Sequence, residues 1–459
     1  MGRLLTPRLG LGSPALASAA IAAGSAALVC MPFAPGLLGV LGLLSAATAA
    51  LLTSLAVWAA VPSLLVALVP VLIPTPIVLY TFAWEDAVIL LAVCTLAQGL
   101  RRDSPWLWRM GAIEGCWLAF AAWALFTGLW CTDLLHYQLG VRRVLVGFCE
   151  LWVALRLPQL ASRRWFETGI VCCAIALSLA LIRQSGGSLQ EVVMHRGQAT
   201  NLGWGKDNYV AGLLVLCTPL VLRIVMRGAP RDRLLAGVAF ALITTVQLII
   251  ASRAGTLLFV VGTVIQLVYA TRRHRLAVGL AALGVLAALV ASPLGLVLLT
   301  RVTSLKEFAS FTIRIWYWRE GFRRMVDHLP WGMGLGQGIE NPDHLRGIDP
   351  HDYWLYTGGD LGLPGMLLWV ALIVVIVRAW RAVPFDEPSR ERAFTLLLTF
   401  ALGNVHALVE PTFQGPQYQL LFLWIVCGSL AYTRADRERS RAGAAAPGAA
   451  RQGLAAAAA

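Results

Sequence analysis

A chain of 459 residues would ordinarily make about three soluble domains, but 58% of these residues are hydrophobic, 13% are charged and the mean hydropathy is +0.72. Apolar runs this long exclude the soluble classes and leave a helical bundle in a bilayer, where each span needs about 20 apolar residues. The net charge of +13 is not a nucleic-acid signal here, because in a membrane protein the distribution of charge matters more than its sum.

The first apolar run, 14–33, follows Arg3 and Arg8 and lacks a small-residue cleavage site, so it reads as an uncleaved span. Further runs fall at 36–59, 61–80, 84–100, 112–131, 139–157, 166–184, 208–226, 234–251, 255–270, 276–299, 361–379, 392–409 and 417–433. The fold class is therefore all-α, a polytopic bundle of about 12–14 transmembrane helices. The nine cysteines lie in or beside these runs without metal-ligand spacing, which marks them as small buried hydrophobes. With the N-terminus in the cytoplasm and the spans alternating, 24 of the 37 Lys and Arg fall in cytoplasmic segments. Every such loop has some, so both termini are expected inside.

One external segment stands apart. The chain divides into a bundle at 1–299, a periplasmic loop at 300–360, a second part of the bundle at 361–433 and an alanine-rich, disordered cytoplasmic tail at 434–459. Within the loop, Phe308, Phe311, Ile315, Trp318, Phe322, Met325 and Leu329 recur at three- and four-residue steps, an amphipathic helix ended by Pro330. Its apolar stripe is expected to pack on the bundle and to hold Arg314 over a cavity. Glycines 332, 334, 336 and 338 alternate in "WGMGLGQG", with the wrong spacing for a dinucleotide fingerprint. Such glycines allow either a plain turn or a close approach of backbone to a ligand.

In "DHLRGIDPHD" no pair has the spacing of a zinc helix and Pro350 interrupts the run, so no metal is called for. His344 reads as a solvated loop residue. His351 directly precedes the next span and belongs near the membrane surface. Arg196 and Lys206 lie in the second-longest external loop, Arg253 at the outer end of a span and Arg301 at the start of the long segment. On a chain whose basic residues are mainly inside, this external group suits an anion, and the guanidinium fork matches phosphate.

The order "SRAG", "RIWYW", "HLPWGMGLGQG" and "PHDYWLYTGGDLGLPG" resembles the O-antigen ligase and polymerase superfamily, bacterial inner-membrane glycosyltransferases. The resemblance runs from about Asn201 to Gly365. It aligns Arg314 and Trp318, the turn from Pro330 to Gly338, His351, and Gly362 with Gly365 to the family pattern, and "KDNYVA" brings in Asn208. One departure is Asp352, where the family usually has asparagine; an acid there can support the imidazolium of His351 or cap the helix.

The resemblance implies transfer of a glycan from an undecaprenyl diphosphate donor to the hydroxyl of lipid A–core, or of a second lipid-linked glycan, on the periplasmic face. A diphosphate leaves as a stable anion, so the site needs positive charge rather than a leaving-group acid or a cofactor. Arg253 and Arg314 are the expected catalytic cations and His351 the expected base. Arg196, Lys206, Arg301, Asn208 and Asp352 are expected to bind diphosphate or glycan, with membrane lipids as the other partners. The competing class is a transporter using Glu114 and Glu150 near the midplane. It lacks repeated halves, and the polar residues concentrate in an external loop instead.

Overall fold

The computed structural model describes residues 60–74, 77–78, 81–101, 110–184, 207–250, 252–271, 305–337, 352–381, 387–410, 413 and 415–457. The expected spans 14–33, 36–59 and 276–299 lie outside them.

The described chain is almost entirely helical. α1 (Ala60–Val71) leads to a small antiparallel hairpin, β1 (Ile77–Val78) with β2 (Thr81–Phe82), in which Ile77 faces Phe82. The apolar run expected to span 61–80 is thus helical only to Val71. The prolines of "LIPTPIV" remove amide donors and disfavour helix in the residues before them. There follow α2 (Ala83–Arg101), α3 (Ala112–Phe126), α4 (Leu134–Ala154), the short α5 (Leu157–Leu160), α6 (Arg163–Gln184), α7 (Asp207–Arg227), α8 (Pro230–Ile250) and α9 (Arg253–Ala270). The segment expected outside the membrane contributes α10 (Leu305–Asp327), followed by α11 (Tyr353–Arg381), α12 (Glu387–Ala407) and α13 (Pro416–Ala457). α13 continues through the alanine-rich tail read as disordered, alanine being the strongest helix former. Five of the described helices are long and apolar enough to cross a bilayer, and the protein is an all-α polytopic membrane protein.

α7 is the centre. It packs against α6, α8, α9, α12 and α13, and 78% of its apolar stretch is buried, against 28% for α9. Its residues from Val210 to Cys217 are apolar all round, the pattern of a helix enclosed on every side.

The arginines expected on the cytoplasmic side gather with carboxylates between helix ends. Arg156 meets Glu114 at 2.8 Å, Arg223 meets Glu167 at 2.5 Å, and Arg163 and Arg392 share Asp436 at 2.7 and 3.1 Å. Glu114 and Glu150 do not form a midplane pair. Glu114 also caps α3 by accepting from Gly111 N, while Glu150, fully buried in α4, accepts from Gln419 at 3.3 Å.

α10 forms where the apolar spacing predicted a helix, and part of the stripe packs: Trp318 and Met325 are half-buried, while three other members face outwards. Ile315, Phe322 and Leu329 are 48, 56 and 44% exposed. α10 meets α11 at Met325, whose sulfur lies against the place a Cβ on Gly358 would take, and Gly321 of α10 is buried. Small residues let helices approach closely, and an apolar face turned towards lipid loses nothing, so the contact is set by small residues rather than by hydrophobicity.

Candidate functional site

The glycine turn after α10 and the start of α11 form one structure. α11 breaks at Gly362, which has φ 62° and ψ −163°. The break, and Pro364 lacking an amide hydrogen, leave the carbonyls of Gly359, Asp360 and Leu361 without helical donors. Met333 N donates to Gly359 O and Gly334 N to Asp360 O, both at 2.9 Å, and the Trp123 indole donates to Leu361 O at 2.8 Å. Leu363 N in turn donates to Pro330 O at 2.9 Å, and Gly336 N to the buried Asp360 carboxylate at 2.7 Å. Gly332, Gly334 and Gly336 all have positive φ. A Cβ on Gly332 would strike the Asp360 carbonyl, and one on Gly362 the Pro330 carbonyl. The alternating glycines therefore serve an approach of backbone to backbone, two segments completing each other's hydrogen bonds. The loop between α3 and α4 holds the turn from its other side. Trp130 donates to Gly332 O at 3.1 Å, and the Gln337 amide accepts from Thr132 Oγ1 and Asp133 N.

Beside this structure, two of the expected site residues meet on a third. Arg314 Nη2 donates to Glu410 Oε1 at 2.5 Å, and Asn208 Nδ2 donates to the same oxygen at 2.7 Å. Arg314 also reaches Val409 O at 3.3 Å. Arg314 is one-quarter exposed and the Glu410 side chain 8%. Asn208 stands in the first turn of α7, and Arg253 is the first residue of α9, capped by Ser252 Oγ accepting from Gly255 N at 3.3 Å. The starts of α7 and α9 touch, Gly255 lying against Ala211. Two helix N-termini, each carrying partial positive charge, thus stand side by side next to Arg314. Arg253 itself is exposed.

Asp352 takes the cap role. Its Oδ1 accepts from Trp354 N at 2.7 Å and Leu355 N at 3.0 Å, closing the N-terminus of α11. Burial raises its carboxyl above the usual range, although the amides of Leu355 and Trp354 pull the other way. His351, Arg196, Lys206 and Arg301 lie outside the described residues.

Glu410 and His406 were not singled out from the sequence. His406, one turn before Glu410, is fully buried against Gly212 and Tyr418, and neither ring nitrogen has a hydrogen-bond partner among the described residues. The available signal was a single acid in "ALVEPTF", at the end of an apolar run on the side where the external arginines were expected.

Residues 238–370 match the model of the O-antigen ligase family, and no curated protein matches the chain. The matched segment holds Arg253, Arg314, the glycine turn and Gly362 with Gly365. Over this segment the chain is similar to the O-antigen ligase family, which supports a membrane enzyme of the glycosyltransferase type acting on lipid-linked glycans.

Proposed function

We propose that the protein is an O-antigen ligase-type enzyme of the bacterial inner membrane, transferring a glycan from undecaprenyl diphosphate to a hydroxyl of lipid A–core on the periplasmic face. Both termini lie in the cytoplasm, and the segment 300–360 carries the chemistry. The observation that carries this reading is the convergence of Arg314 and Asn208 on Glu410, beside the N-termini of α7 and α9. A cation already holding a carboxylate in a partly enclosed site is suited to exchange it for another anion, and a departing diphosphate is such an anion.

In this mechanism the acceptor oxygen attacks the anomeric carbon from the face opposite the diphosphate, and configuration inverts. The bond from that carbon to the diphosphate oxygen breaks, and the charge it leaves is met by Arg314 and Arg253, with Arg196, Lys206 and Arg301 completing the cationic surround. His351 takes the acceptor proton, since an unperturbed imidazole titrates near pH 6.5, close to working pH. Asp352 supports this by fixing the backbone directly after His351 through its cap on α11. Arginine supplies the positive charge that a metal supplies in other glycosyltransferases.

The test is envelope-glycan analysis in a deletion strain carrying the wild-type gene, His351→Ala or Arg314→Gln, with expression checked. Rescue by wild type alone supports the reading, and full activity in both variants overturns it. Long lipid-linked polymer accumulating in the variants marks a ligase. Accumulated single repeats mark a polymerase, whose acceptor is a second lipid-linked glycan.

A further inference from the structure

Beside the glycine turn, whose Leu335 and Gly336 line it, α3, α4, α11 and α13 enclose a cavity of about 90 Å³, lined also by Arg143, His136, Gln419, Trp117 and Trp369. Arg143 is half-buried in the third turn of α4. No carboxylate among the described residues pairs with it, although the adjacent Arg142 pairs with Glu85 and Arg156, further along the same helix, pairs with Glu114. An unmatched guanidinium within a membrane bundle is costly and marks a place where a charge is to be met. The acids nearby are engaged elsewhere: Asp360 accepts from Gly336 N, and Glu150 is held by Gln419.

His136 stands two turns before Arg143 on the same face of α4, and its Nδ1 lies 2.7 Å from Asp133 Oδ2, which orients the ring. Asp133 is kept ionised by the hydrogen bonds from the backbone and ring of His136, which hold its carboxyl below the usual range. The other walls mix aromatic rings, Trp117 and Trp369 among them, with Leu139, Leu335 and the Asp360 already engaged by Gly336; such rings suit the C–H face of a sugar.

We propose that this cavity binds an anionic saccharide, with Arg143 on its phosphate or carboxylate, His136 as a hydrogen-bonding partner and Trp117 and Trp369 against the ring. The site is separate from the Arg314–Glu410 pair and corresponds to a second substrate rather than to the leaving diphosphate. That the ligand is a saccharide rests on the proposed transferase reading; that it is an anion rests on Arg143.

The experiment is saturation-transfer NMR on the full-length protein in detergent, titrated with glucose 6-phosphate, glucuronate and glucose. One or both charged sugars should bind at least tenfold more tightly than glucose, and which one does identifies the anion. Arg143→Gln should remove at least tenfold of that affinity, and Arg143→Lys should keep most of it. His136→Asn, which retains a donor towards Asp133 and loses the second ring nitrogen, should weaken binding severalfold. If glucose binds as well as the charged sugars, if none binds, or if Arg143→Gln and His136→Asn both bind as wild type, the proposal is overturned. Should Arg143→Gln fail to fold, His136→Asn decides. Binding is read without turnover, so it fails independently of the transferase reading, which is scored by glycan transfer in Arg314→Gln.

Discussion

Arg156 and Glu114 meet at 2.8 Å with side chains 5 and 6% exposed, whereas Arg314 and Glu410 meet at 2.5 Å with side chains 25 and 8% exposed. The first pair joins two helix ends deep in the bundle, and each partner is also held by its own helix: Glu114 by the Gly111 amide, Arg156 by donation to Trp152 O and by its place over the Trp152 ring. The second pair joins a helix of the external segment to the chain just beyond α12, with Asn208 as a third member. Both are ion pairs by distance, but only the second has an arginine that an incoming ligand can reach. The contrast separates charge used to join helices from charge available for exchange.

The strongest way to sharpen that contrast is Arg314→Gln. Glycan transfer to a lipid acceptor, assayed on purified protein, should fall by about 10²–10³-fold, the usual loss when one stabilising group is removed from a developing anion. The melting temperature should stay close to wild type. Glu114→Ala should show the opposite pattern. It takes the carboxylate away from the buried Arg156 guanidinium, so stability in a denaturant titration should drop by about 3–5 kcal/mol while the folded fraction keeps its specific activity. In Glu114→Ala, transfer lost at unchanged stability would break the comparison.

A smaller effect is expected at Glu410→Gln. With the carboxylate gone, Arg314 no longer has an internal anion to exchange, and inorganic pyrophosphate should bind about tenfold more tightly, equivalent to ~1.4 kcal/mol. Weaker binding, read by calorimetry, would show that Glu410 positions the arginine rather than competing for it.

The smallest effect concerns Asp352. Asp352→Ala should cost about 1 kcal/mol as a lost cap, and Asp352→Asn much less. The raised carboxyl also has a signature in pH. The folded protein holds the proton where the unfolded chain has released it, so this residue's contribution falls as pH rises from 3.8 through the raised value. Asparagine should remove that slope, as melting curves across the acid range would show.

How much of the site could be read in the sequence differs by residue. Arg314 came from its place on the amphipathic helix and from the family pattern of an arginine with a tryptophan four residues on. Asn208 and Gly362 came from motif order. Glu410 is 96 residues from Arg314, and nothing local marks it as a partner. The glycines of "WGMGLGQG" show that the backbone must turn, yet which surface they approach depends on where α11 breaks. Arg143 sits inside an apolar run, and that no carboxylate among the described residues pairs with it is visible only in the tertiary structure.

By itself the sequence determined the solvent and the class of fold, because hydropathy acts residue by residue against the bilayer. It also determined that a helix runs through the stripe that begins at Phe308 and ends before Pro330, since helix periodicity and missing amides are local properties. Only the tertiary structure decided which face of that helix packs, which acid Arg314 meets and which arginine faces a cavity. Those depend on close approach between segments distant in sequence, where small residues and hydrogen-bond satisfaction select one arrangement among several that hydrophobicity alone leaves equal.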